Sequence, residues 1–340
     1  MGASFGMPSF FWFFVDLFRR DRSQPMMKPR PLDRNKLKRY SILDRPSKVS
    51  MKEAAALCEK GRSFSDFVEG LPDVLQARKL LELADAVVAA IRSGKPVLAM
   101  FGAHLVKTGL SPLVCQALRE GWITYAATNG AGTIHDLELA RFGVTSEEVA
   151  DSLEDGSFGM AAETGQEWNE AIRRGYEKGV GAGEAIGRWI SERGGPYAAQ
   201  SISATAVEVG RPLTAHVAIG TDIVHGHPEA DGAAIGGASY RDFEALCERV
   251  ALLNGGGVVL NIGSAVILPE VFLKALSVAR NLAGPVADFT TANLDMIRHY
   301  RPTQNVLSRP TRSSGRALEL VGPHEILVPL LFQTVCEKTA

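Results

Sequence analysis

Val97-Leu98-Ala99-Met100-Phe101-Gly102-Ala103-His104 is an apolar run that stops abruptly on two small residues and an imidazole. A strand that is apolar at every position needs cover on both faces, which a parallel sheet between helices provides and a half-solvated antiparallel sheet does not. Nearly continuous apolar runs recur at Ile123–Ala127, Leu213–Ile219, Val258–Ile262 and Val286–Phe289, each ending in Gly, Asn or Thr and each preceding a helical stretch. Together these runs predict an α/β fold with a doubly wound, mostly parallel sheet, Rossmann-like in outline. Ser146–Leu153, Gln166–Arg193 and Tyr197–Val209 carry helical patterns, so residues from about 145 to 210 are expected to form a helical insertion over the sheet. Arg241–Leu253 is helical in pattern and ends in the turn Asn254-Gly255-Gly256-Gly257.

Upstream, Leu71–Ser93 has the apolar spacing of an amphipathic helix stopped by Gly94, and Ser50-Met51-Lys52-Glu53 fits a capping box. Residues 22–50 mix Pro25, Pro29, Pro31 and Pro46 with many basic residues, which opposes regular structure. The expected organisation is an extended leader over 1–50 and a single domain over 51–340. Phe10–Phe18 is strongly apolar but too short to span a bilayer and contains Asp16. It reads as an interfacial or docking helix, or as an extension upstream of Met26 or Met27.

The chain of 340 residues is 46% hydrophobic and 22% charged, enough to bury a large core, and its formal net charge of -1 lacks the positive excess that nucleic-acid binding exploits. A small-molecule partner is expected, with no nucleic acid and no stable membrane span. The four cysteines, Cys58, Cys115, Cys247 and Cys336, stand far apart, which supports neither a zinc site nor a disulfide scaffold and suits a reducing cytoplasm.

In doubly wound sheets, ligands bind beyond the carboxyl ends of the strands. The residues after the five runs are Gly102-Ala103-His104, Thr128-Asn129-Gly130-Ala131-Gly132, Gly220-Thr221-Asp222, Gly263-Ser264 and Thr290-Thr291-Ala292-Asn293. The second set, before a helix, can bring backbone N–H groups to a phosphate or can be a tight turn with no ligand. His135-Asp136 follows it and is either at the crevice mouth or divided between a packed imidazole and a helix cap. The densest polar stretch, Thr214–Asp231, holds His216, His225 and His227 out of seven histidines in the chain, together with Asp222. Asp222, His225 and His227 can serve as proton-transfer and substrate contacts, as a divalent metal set, or as a merely polar loop. No G-x-S-x-G and no G-x-x-x-x-G-K-[ST] motif is present, and Cys115 sits in an apolar helical pattern.

Over roughly residues 95–295 the chain resembles the deoxyhypusine synthase superfamily, whose members bind NAD on an atypical Rossmann-like sheet. Phe101–Gly109 is similar to the family's Ser-Asn-Leu-(Ile/Val)-Ser-Ser-Gly loop, with His104 for the Asn. Ala127–Asp136 is similar to its Thr-Thr-Ala-Gly-Gly-x-Glu-Glu-Asp loop, Thr221-Asp222 to its Thr-Asp-Gly-Ser turn, and Thr290–Asp295 to its Asn-Thr-Ala-Gln-Glu-x-Asp segment. The resemblance implies NAD as cofactor, held by Gly102, Ala103, His104, Thr128, Asn129, Gly130, Gly132, Asp136, Thr221, Gly263, Ser264, Thr291 and Asp295, and a homo-oligomer, dimer or tetramer. The chain's own polar clusters offer His225, His227, Asp222 and His135 as the candidate catalytic set.

The departures bear on chemistry. The family's Trp-Gly-Lys motif has no counterpart, because no lysine lies between Lys274 and Lys338, and its Gly-Gly-Gly-x-x-Lys-His segment appears as Leu260–Ser264 without Lys or His. True deoxyhypusine synthase activity is therefore not expected. The expected function is an NAD-dependent transferase, lyase or oxidoreductase acting on a small amine or amino-acid-like substrate by transient hydride abstraction, as relatives such as homospermidine synthases do. The alternatives are a metal-dependent hydrolase or lyase centred on Asp222, His225 and His227, and a nucleotide-binding protein without catalysis.

Overall fold

A computed structural model describes residues 29–339, so the Phe10–Phe18 segment lies outside the described residues. The described residues divide between Ser50 and Met51 into two units. In the first, 3-10 turns at Arg34–Lys36 and Ile42–Asp44 are capped by the side chains of Asp33 and Ser41. The second opens with helices α1 (Phe64–Glu69) and α2 (Leu75–Arg92), then runs β1 (Val97–Phe101), α3 (Ala103–Lys107), α4 (Ser111–Arg119), β2 (Tyr125–Asn129) and α5 (Gly130–Phe142). Four helices follow, α6 (Val149–Asp155), α7 (Ala162–Glu177), α8 (Ala182–Arg193) and α9 (Ile202–Glu208). The chain closes with β3 (Thr214–His216), α10 (Gly232–Ala251), β4 (Val258–Ile262), α11 (Ile267–Leu282), β5 (Thr290–Asp295), a π-helical segment at Pro302–Ser308, β6 (Arg316–Val321) and α12 (His324–Thr339).

All six strands are parallel, in the order β3-β2-β1-β4-β5-β6. The order reverses between β1 and β4, which is the switch point of a doubly wound sheet. Alternate strand residues face opposite layers: Val97, Ala99 and Phe101 pack with α2, α4, α9 and α12, while Leu98 and Met100 pack with α10 and α11. A third core, built on Trp168, Ile186 and Ile235, joins α5, α7, α8 and α10. Among the described residues no helix is long and apolar enough to cross a membrane.

Several elements depart from the sequence reading. Val286–Phe289 is not a strand; the strand is Thr290–Asp295, placed beyond the left-handed Asp288 (φ 52°). Its Ala292 and Leu294 enter the apolar core while the intervening Thr291, Asn293 and Asp295 line the opposite face, so a polar alternation had the look of a loop. Edge strand β6 had no counterpart in the sequence reading. The helix expected from Leu71 starts at Leu75 after Pro72. Glu53 bonds Arg78 at 2.8 Å and Met51–Glu53 is a 3-10 turn, while the capping box forms at Ser63 and Asp66. The long helix expected over Gln166–Arg193 is two, parted at left-handed Gly179.

Buried charge joins the helical layer to the sheet. Asp242 of α10 accepts hydrogen bonds from Gly183 N (2.9 Å) and Ala215 N (2.8 Å), tying α8 to β3. Burial pushes its carboxyl from 3.8 up to about 7, against those N–H groups and Arg249. Burial and the Arg249 charge push His216 from 6.5 down to about 3. Between 3.8 and about 7 the native state keeps a proton on Asp242 that the unfolded chain has released, so stability falls as pH rises through that window. His216 acts oppositely, losing stability as pH falls below 6.5, where only the unfolded chain becomes protonated. The two offset each other below 6.5, so His216→Gln should expose the Asp242 decline. Urea titrations from pH 4.5 to 7.5 check this; a variant whose stability rises with pH there contradicts it.

Candidate functional site

The carboxyl ends of β1, β2 and β3 open on a cavity of about 560 Å³, within the usual range for small-ligand sites. Its apolar wall includes Ile134, Phe142, Val144 and Phe158, and its ionisable groups are Lys107, His135, Glu138, Glu147, Glu163 and Asp222. Four carboxylates against one lysine make the interior favourable to an amine.

Asp222 and His225 sit on the 3-10 turn that follows β3 (Ile223–Gly226) and its N-cap. Gly220 N (3.1 Å) and Asp222 N (3.3 Å) donate to His225 Nδ1, so in the neutral ring Nε2 carries the hydrogen. That Nε2 is buried without a partner among the described residues, edge-on to Trp168 at a ring separation of 6.1 Å. Asp222 Oδ2 is likewise buried and unpartnered. Burial pushes the Asp222 carboxyl above its ordinary range, against the opposing pull of His225 and His135. A Cβ on Gly130 would lie 2.1 Å from Asp222 Oδ2, so the close approach of this carboxylate to the start of α5 is what requires glycine there.

His135, one turn further along α5, bonds Thr145 Oγ1 through Nδ1 at 2.6 Å, and Thr145 donates in turn to Glu138. Burial pushes Glu138 up, but the His135 imidazole 3.6 Å away and hydrogen bonds from Thr145 and Thr164 prevail and hold it below its ordinary range.

Other residues singled out from the sequence lie elsewhere. His227 is buried with Nε2 donating to Gly159 O (2.8 Å) and its ring against Gly165, where a Cβ would lie 2.0 Å away; it packs α7 and is not among the cavity-lining side chains. Asp222, His225 and His227 therefore form no metal set, and no group of three or more metal-ligating side chains occurs among the described residues. Asp136 is sealed beneath α9, accepting from Ser201 Oγ, Ile202 N and Ser203 N at 2.8–2.9 Å. Thr128 is fully buried and donates to Phe101 O, and Gly132 packs against it. Asn129 is the N-cap of α5, with its side chain accepting from Gly132 N, so the expected glycine loop is a direct strand-to-helix junction. Thr221 lines the cavity.

On the other side of the switch point, a Cβ on Gly102 would meet Gly263 O at 2.4 Å, so these two turns touch. Ser264 Oγ accepts from Leu268 N, and Thr291 lies inside β5. Asp295 Oδ2 and His324 Nδ1 are buried without hydrogen-bond partners, His299 Nε2 stands 3.9 Å from that Asp295 oxygen, and the His324 ring lies 5.4 Å from that of His104. Ala103 begins α3, whose His104 joins this second polar patch and whose Lys107 reaches the cavity. One turn of helix thus links the two patches.

Sequence reading missed Glu138, Thr145, Glu147 and Glu163, which come from later α5 and from the start of the helical insertion. Only the His135-x-x-Glu138 spacing carried a signal.

No family model and no curated protein matches the chain. Among solved structures, a protein of Entamoeba histolytica classed as a deoxyhypusine synthase aligns over 82% of this chain and 95% of its own, with a TM-score of 0.50 and 10% identity. The fold is deoxyhypusine synthase-like. Unliganded AgrE aligns over 78% of this chain at 15% identity and a TM-score of 0.50; this chain covers 34% of its length. A conserved LOR/SDH protein from Methanococcus maripaludis S2 aligns over 83% of this chain and 72% of its own, with 13% identity and a TM-score of 0.49. In a deoxyhypusine synthase-like sheet, the cavity and the second patch both lie at the carboxyl edge, flanking the switch point.

Proposed function

We propose that the protein is an NAD-dependent enzyme acting on a small amine or amino-acid-like substrate. The observation that carries this reading is Asp222 Oδ2, a buried carboxylate oxygen without a hydrogen-bond partner on a side chain that lines the cavity. A carboxylate acceptor facing the cavity suits the amide N–H of a nicotinamide or a substrate ammonium, and leaving it unmatched is costly. AgrE, of similar fold, has been solved with ornithine and NAD+. Bound NAD would supply the hydride acceptor, chemistry that side chains lack.

The protein's own residues supply the rest. Asp222 holds the nicotinamide side or a substrate ammonium; Glu147 and Glu163 draw the amine inward. Phe142, Val144 and Phe158 give the cavity an apolar wall for the substrate's carbon chain. Gly102, His104, Gly263, Ser264 and Asp295 stand at the second patch, where the remainder of the dinucleotide would be held. A homo-oligomer in the cytoplasm belongs to the same reading. Calorimetry with NAD+, NADH, NADP+ and FAD at millimolar concentration tests it. NAD(H) should bind to the wild-type protein, and Asp222→Asn should weaken it about 10-fold or more, from the loss of a charged acceptor. Absence of binding to all four ends the reading.

A further inference from the structure

Gly143 (φ 77°) ends α5 in the left-handed conformation, and Ser146 (φ 68°) repeats it three residues later. A serine there is strained by about 1–2 kcal/mol. The turn between them places the Thr145 hydroxyl against the helix it has just left, between His135 and Glu138. These two residues share one face of α5, with Nδ1 3.6 Å from the Glu138 carboxylate. The carboxylate is also held from its other oxygen by Thr164 Oγ1 at 2.8 Å.

Proton accounting decides the direction of this chain. An ionised carboxylate only accepts, so the single Thr145 proton goes to Glu138. The Thr145 oxygen then has only lone pairs for the imidazole, and His135 must place its hydrogen on Nδ1. The other ring nitrogen, Nε2, has no hydrogen-bond partner among the described residues, is not sealed from solvent, and belongs to a side chain lining the cavity.

We propose that Glu138 and Thr145 are positioning residues that hold His135 as the Nδ1–H tautomer, leaving the Nε2 lone pair to take a proton from an amine in the cavity. Its catalytic use rests on the proposed function; the tautomer does not. An ammonium has no lone pair to assist oxidation at its neighbouring C–H. Transfer of one proton breaks an N–H bond of the substrate, forms one at Nε2, and returns the amine lone pair. The imidazolium so formed is stabilised by Glu138 through the hydroxyl, and no electron changes owner in this step.

The full chain labelled with [15N]histidine tests it without any ligand. Long-range proton–nitrogen correlation, with His135→Gln identifying the signal, should show a protonated-type Nδ1 and a lone-pair-type Nε2 in the neutral ring. Thr145→Val should give a tautomer mixture or the Nε2–H form, and Thr145→Ser should restore the wild-type pattern. Carbethoxylation of His135 by diethyl pyrocarbonate, mapped by mass spectrometry, should slow several-fold in Thr145→Val and recover in Thr145→Ser. An Nε2–H tautomer in the wild-type protein overturns the proposal, as does a Thr145→Val spectrum and modification rate equal to wild type. Should Thr145→Val not fold, the wild-type tautomer and Thr145→Ser still decide. Because no nucleotide is present, failure here is distinct from failure to bind NAD.

Discussion

Asp136→Ala should lower the unfolding free energy by about 3 kcal/mol or more. Its carboxylate is 3% exposed and accepts from Ser201 Oγ, Ile202 N and Ser203 N. Two of those donors are the opening N–H groups of α9, a helix of 7 residues with few turns to share the loss. Truncation leaves three donors without an acceptor, and a buried donor left unpaired costs about 1–3 kcal/mol. Burial pushes the Asp136 carboxyl up, while hydrogen bonds from Ser203, Ser201 and Ile202 favour its charged form. Urea titration reads the change. Ligand affinity of the folded fraction should be unaltered, since Asp136 faces α9 and not the cavity. A stable Asp136→Ala protein that has lost nucleotide binding would return this residue to the cofactor site.

Gly130→Val should destabilise the fold by about 1–3 kcal/mol and weaken any ligand of the Asp222 cavity about 100-fold. The new Cβ would stand 2.1 Å from Asp222 Oδ2 and 3.0 Å from its Cγ, so the turn carrying Asp222 and His225 must move. The methyl groups add to the displacement, and both unpartnered atoms leave their present positions together. Gly232→Ala is the control. It opens α10 with no heavy atom within 4 Å of its Cβ position, and should be neutral or stabilising. Calorimetry and thermal melting of both variants check the contrast. A Gly130→Val protein with wild-type affinity would show that Asp222 does not approach α5 as described.

Legibility followed local chemistry. β1 and β4 are Val97–Phe101 and Val258–Ile262 at both ends as read, because β1 is apolar throughout, β4 is apolar at all but Asn261, and each is closed by glycine. β5 was misplaced because its Thr291, Asn293 and Asp295 are buried polar residues, with Asn293 accepting from Asn261 across the strand pair at 2.7 Å. That partner lies 32 positions away and leaves no mark on the local pattern. β6, at the sheet edge, pairs on one side only and is half exposed, so its residues lack the two-sided apolar signal.

By itself the sequence determined a parallel sheet between helices, with small and polar residues gathered at the strand ends. Side-chain period and glycine punctuation are local properties, and they were enough for that. Only the tertiary structure decided which polar group serves which purpose. His135 and Asp136 are neighbours in the chain but point about 100° apart on α5. One therefore lines the cavity while the other is sealed beneath α9. Asp222 and Asp136 are both carboxylates near strand ends, yet only Asp222 keeps a buried oxygen without a donor. A carboxylate's availability depends on which distant N–H groups reach it, and packing alone brings those groups together.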